Sequence, residues 1–77
     1  MLIICFCRDY TFTDYEGKLI EVKGEKFIGV LDKNHEGNYP YFSGACFETL
    51  DDKTEYAGEV FLNEDEFKER VEYWTIL

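Results

Sequence analysis

The gaps between strand-like runs in this chain are turns, and that limits what the chain can fold into. A parallel strand pair needs a crossover of a dozen residues or more, usually a helix. No gap before residue 63 has a helical pattern. Neighbouring runs are therefore expected to lie antiparallel. Leu2 to Cys7 is a continuous apolar run that reads as a buried strand. Tyr10 and Phe12 alternate with Thr11 and Thr13 in a second, short extended piece. Asp14 to Gly17 is a turn. Lys18 to Lys23 and Lys26 to Leu31 are two further runs with Gly24-Glu25 between them. A Gly-X pair suits a tight type II′ hairpin, with Val22 opposite Phe27 and Ile20 opposite Gly29. Gly29 within a strand marks a bulge or a close backbone approach.

Asp32 to Pro40 is a polar loop rich in Asn, Gly, Asp and Pro. Ala45 to Leu50 reads as a strand and Asp51 to Thr54 as a turn. Glu55 to Leu62 is the last strand, with Gly58 as a kink. Val60 to Trp74 then carries the helical signal. Asn63 is the N-cap and Glu66 completes a capping box. Glu64, Asp65 and Glu66 suit the positive end of the helix dipole. Phe67, Val71 and Trp74 recur at i, i+4 and i+7 as one apolar stripe. Glu64–Lys68 and Glu66–Arg70 are favourable i, i+4 pairs. The expected fold is α+β, mainly antiparallel β. It is a small, strongly bent sheet or partly open SH3-like barrel of five to six strands, closed by one C-terminal helix. A two-layer sheet with one helix is the competing layout.

Seventy-seven residues make one domain, residues 1–77. Fourteen aromatics supply the core volume that so short a chain otherwise lacks. The net charge is −9, and residues 51–73 hold nine acids against three bases, giving −6 of that total. With no basic stripe to displace phosphate counterions, direct nucleic-acid binding is disfavoured. A basic protein surface suits the charge better, although net charge also serves solubility alone. Met1 leads into an apolar run that lacks the basic start and cleavage site of a signal peptide. No apolar stretch reaches the ~20 residues of a membrane span. A cytoplasmic setting with reduced cysteines follows as the expectation.

Cys5, Cys7 and Cys46 with His35 have the ligand types of a Cys₃His zinc site. Their spacing lacks the usual C-x₂₋₄-C pairs, and small core hydrophobes are the better reading. No metal and no cofactor is expected. Asp32 to Asn38 matches the first half of a calcium loop, but position 12 falls on Ser43 instead of a bidentate Glu. His35, the single histidine, has no assignable nucleophile partner, and the chain reads as non-enzymatic.

Two candidate binding surfaces remain. One is acidic, made of Asp51, Asp52, Glu55, Glu64, Asp65, Glu69 and Glu72. The other is aromatic, made of Tyr39, Tyr41, Phe42 and Phe47 beside the 32–44 loop, since Tyr anchors interfaces well.

The N-terminal strand into Arg8-Asp9-Tyr10, the segment KLIEVKGEKFIGVL and the closing FLNEDEFKERVE together resemble a group of very small proteins. These are encoded by bacteriophages and mobile elements of Gram-positive bacteria, and many are SH3-like with a short acidic C-terminal helix. The resemblance implies a context, in which small acidic proteins bind host proteins, defence systems included. It carries over no functional residue. The leading expectation is an interaction protein that inhibits or modulates a basic host protein, with nucleic-acid mimicry as one form. The alternative is a small-ligand or nucleotide-binding sponge built on the aromatic cluster and the 32–44 loop. A homo-oligomer fits either.

Overall fold

A computed structural model of the protein describes residues 1–33, 40–50 and 52–77. The strands are β1 (Leu2–Cys7), β2 (Tyr10–Thr13), β3 (Leu19–Val22), β4 (Lys26–Leu31), β5 (Phe42–Leu50), β6 (Lys53–Leu62) and β7 (Val71–Ile76). The helix α1 (Glu64–Arg70) lies between β6 and β7. Five strands form one sheet in the order β6-β5-β4-β1-β7, and every pairing in it is antiparallel. β2 and β3 form a separate two-stranded ribbon. The edge strands β6 and β7 do not pair with each other, so the sheet is not closed.

The expected hairpin across Gly24-Glu25 does not form. β4 is the middle strand of the sheet, and β1 and β5 occupy both its edges. β3 pairs with β2 instead, setting Val22 opposite Tyr10 and Ile20 opposite Phe12. Phe27 faces Cys5 on one side and Cys46 on the other. Gly24-Glu25 is the passage from ribbon to sheet, with Gly24 at φ +69°. The turn of the ribbon is closed by Asp14, whose Oδ1 accepts from the Glu16 and Lys18 amides at 2.9 Å each.

The helix is shorter than its sequence stripe. It ends at Arg70, and Val71 to Ile76 is an edge strand paired with β1. Cys7 lies opposite Val71 and Phe6 opposite Tyr73, so Glu72 is an extra residue bulged from the ladder. The bulge returns Trp74 to the face of Val71. A spacing of three within a bulged strand thus imitates one turn of helix. The start of the helix is as its sequence reads. Asn63 Oδ1 accepts from the Glu66 amide at 2.8 Å, and Glu66 Oε1 accepts from the Asn63 amide at 3.0 Å. Glu64 and Lys68 pair at 3.6 Å.

Alternation along the strands sorts side chains into two faces. The inner face holds Ile3, Cys5, Phe27 and Phe42, all fully buried, with Cys7, Leu31, Val60 and Leu62 around them. The helix adds Phe67, whose ring lies 5.5 Å from the rings of both Phe42 and Tyr41. Leu62 lies in the row of Phe42 and Leu31, whereas Val71 lies beside Cys7 at the other end of the sheet and four strands away, about 28 Å in a flat sheet. Seven helical residues with one extended step before Asn63, one after it and one into Val71 reach only about 19 Å. The sheet must therefore curl around Phe67. The curl brings β4 and β5 together at Gly29 and Gly44, which face each other. A Cβ on Gly29 would overlap the Ser43 carbonyl and the Gly44 Cα. A second bulge, at Ala57 beside Gly58 (φ +127°), bends β6.

Gly29→Ala is expected to lower stability by about 2 kcal/mol or more, because backbone cannot retreat from the new methyl. Asn63→Ala is expected to cost about 1 kcal/mol through the lost cap. Urea unfolding of the two variants beside the wild type measures both.

Candidate functional site

The helix termini organise the residues with most chemical potential. Glu25 precedes β4 and continues its inward set of Phe27, Gly29 and Leu31. It is consequently buried, at 5 % exposure. A buried carboxylate needs a partner, and Arg70, the last helical residue, supplies it. Its Nη2 donates to Glu25 Oε1 at 2.7 Å, and its guanidinium lies 5.0 Å from the Phe27 ring centre. Arg70 is thereby drawn inward, away from the i, i+4 pairing with Glu66. Glu66 is committed to the cap instead.

Arg8, just past β1, secures the other side of the helix end. Its amide donates to the Arg70 carbonyl at 2.9 Å. Its Nε donates to the Glu69 carbonyl at 3.2 Å. Cationic donors suit the C-terminal carbonyls of a helix, where the dipole is negative. Arg8, Asp9, Tyr10, Glu25, Glu69 and Arg70 together line an open cleft of about 460 Å³. Sequence reading missed this cleft, because Glu25 looked like a turn residue. The available signal was its spacing of two from Phe27, which puts it on the inner face.

The three thiols lie on the same inner face. Burial pushes Cys5 up to about 12. Burial, then the charge of Glu25, pushes Cys7 up to about 12. Cys46 rises to about 11 through burial, then the charge of Glu25 and a hydrogen bond to it. Nucleophilic or metal-binding cysteine works as thiolate, and these environments oppose it. Among the described residues no group of three or more His, Cys, Asp or Glu is placed to hold a metal ion. His35 lies outside the described residues, as does most of the loop read against a calcium site.

Of the acidic candidates, Asp52, Glu55, Glu64, Asp65, Glu69 and Glu72 are all exposed, and Asp51 lies outside the described residues. The structure does not bring them into one surface. Asp52 and Glu55 sit at the tip of the β5–β6 hairpin, with Glu55 directly opposite Glu48. Glu64, Asp65 and Glu69 are on the helix, and Glu72 is the bulged residue of β7. About 25 Å of strand separates Glu55 from the helix.

The aromatic candidates disperse as well. Phe42 is wholly buried and packs on Phe27 at 6.0 Å, which removes it from any surface patch. Tyr41 packs edge-on against Phe67. Phe47 lies on the opposite face of the sheet, beside Tyr56 at 6.0 Å. Tyr39 is outside the described residues. No protein-family model, curated protein or solved structure matches this chain.

Arg70→Met strands Glu25 as a buried, unpaired carboxylate. It is expected to cost about 2–3 kcal/mol in chemical unfolding, while Glu25→Gln costs less. The thiols give a pH signature with a defined sign. Each holds its proton to a higher pH folded than its ordinary value of 9.0. Their contribution is thus fully present below pH 9 and is lost as pH rises toward 12. Unfolding midpoints measured across this range should fall. Alkylation at pH 8 should be slow in the native state and rapid in denaturant.

Proposed function

We propose that the protein is a non-enzymatic interaction protein that binds a basic protein surface through the acidic helix end. One observation carries this: Arg70 turns inward to Glu25. The helix surface then presents Glu64, Asp65 and Glu69, continued by Glu72, with Lys68 as its remaining cation. The exposed helix is more acidic than its sequence. Carboxylates clustered on the exposed surface of a capped helix favour fast, salt-sensitive encounter with a basic partner. Carboxylates in such an array can stand where phosphates would, so the partner class includes nucleic-acid-binding proteins. The resemblance to small phage and mobile-element proteins supports a cytoplasmic host protein, inhibited or modulated on contact, as the target. The curled sheet is then an SH3-like, partly open barrel that serves as scaffold.

The second role is small-ligand binding, favoured by the cleft at Arg8, Tyr10 and Arg70. Arg8, Tyr10 and Arg70 in this lining suit a planar ligand with an anionic group, such as a nucleotide, while Asp9, Glu25 and Glu69 beside them oppose a heavily charged one.

The test is capture of partners from host extract, read by mass spectrometry. Wild type is set against an Asp65→Lys/Glu69→Lys/Glu72→Lys variant. A basic protein should be retained by the wild type and lost with the variant. It should also be released at about 1 M salt, where screening acts within ~3 Å. A partner that survives both the variant and high salt overturns the proposal.

A further inference from the structure

The outer face of the five-stranded sheet is apolar, and among the described residues no element of the fold lies over it. Register defines it row by row. One row, read across the sheet from β7 to β6, is Tyr73, Phe6, Lys26, Phe47 and Tyr56. The next is Thr75, Ile4, Ile28, Ala45 and Glu59. Beyond them Leu2 and Val30 face each other, each about half exposed. The aromatic residues are ordered against one another, with Phe6 stacked on Tyr73 at 4.6 Å. Charged residues make up 32 % of the chain, yet these rows hold only Lys26 and Glu59. Depletion of charge with aromatic enrichment is the compositional mark of an interface core, and a patch of about 400 Å² is of the size that is often functional when it is the largest on a small protein.

We infer that this face is an association surface for a second copy of the same chain. The charges select that occupant. Lys26 is on the central strand and Glu59 on the edge strand β6, one row away, about 12 Å apart. A two-fold axis in the interface plane midway between them sets each Lys26 against the other copy's Glu59. A two-fold interface is self-complementary in this way, and the pairing leaves no charge unmatched within the rows. Most of the other described carboxylates lie off this face, among them those of the helix, the β5–β6 hairpin tip and the ribbon with its turn. The face spans about 20 Å by 20 Å, below the ~800 Å² per partner of a standard interface. The dimer is accordingly concentration-dependent. Because each copy carries −9, added salt screens their repulsion and tightens it. That response is opposite in sign to the one expected for a basic partner, so the two surfaces are separable by experiment.

Sedimentation of the full chain over a concentration series, at low and high salt, tests the inference. A monomer–dimer equilibrium that tightens with salt is expected. Lys26→Glu should weaken it by about tenfold or more, and Lys26→Glu/Glu59→Lys should restore it. Lys18→Glu, which makes the same change in net charge off the face, should not weaken it comparably. Val30→Lys reduces the net negative charge yet should also weaken the dimer, because it charges the apolar face. Circular dichroism confirms that each variant is folded. A chain that stays monomeric to millimolar concentration overturns the inference. So does a dimer indifferent to both Lys26→Glu and Val30→Lys.

Discussion

The helix from Glu64 to Arg70 joins the two edges of a five-stranded sheet, and it is too short to do so unless the sheet bends. The other irregularities of the fold answer to that constraint. Gly29 and Gly44 permit β4 and β5 to approach where a Cβ would collide. Extra residues at Ala57 and Glu72 bend the two edge strands. Phe67, carried across by the helix, fills the concavity against Phe42 and Tyr41. The ion pair of Arg70 and Glu25 and the donors of Arg8 then fasten the helix end to the rim.

Local features were legible in the sequence, and partner choice was not. β1, β2 and β4 begin and end where their residue patterns do, because alternation and β-branched content act within a few residues. The Asn63–Glu66 cap is equally local. The reading failed where a distant strand decided the outcome. Val71 to Trp74 has helical spacing, but β1 offers an open edge, and Val, Tyr, Trp, Thr and Ile favour extended backbone. Lys18 to Leu31 looks like a hairpin, but β4 is claimed on both edges by β1 and β5. Arg70 has a carboxylate one turn away at Glu66, yet Glu25, 45 residues earlier in the chain, takes it. A buried acid outcompetes an exposed one that is already capping a helix.

The candidate surfaces follow the same division. The acids of the helix were recognisable as exposed, since their neighbours define an apolar stripe. Their separation from Asp52 and Glu55 was not, because it depends on β6 running as one long strand. The aromatic cluster broke up for a related reason. Tyr41, Phe42 and Phe47 are neighbours in sequence, but strand alternation and the end of β5 send them to different environments. The apolar outer face is a property of register across five strands, so no single segment announces it.

The order of the strands bears on how the molecule is made. β1 is synthesised before every other strand, yet it lies between β4 and β7. Its second neighbour leaves the ribosome only after the helix has been translated. Until then Leu2 to Cys7 has one edge of backbone amides and carbonyls unpaired, within the most apolar segment of the chain. Pairings of such long sequence separation form slowly, and unpaired strand edges invite misassembly while they wait. The nascent protein thus has a vulnerable interval that ends when Val71 to Ile76 docks beside β1.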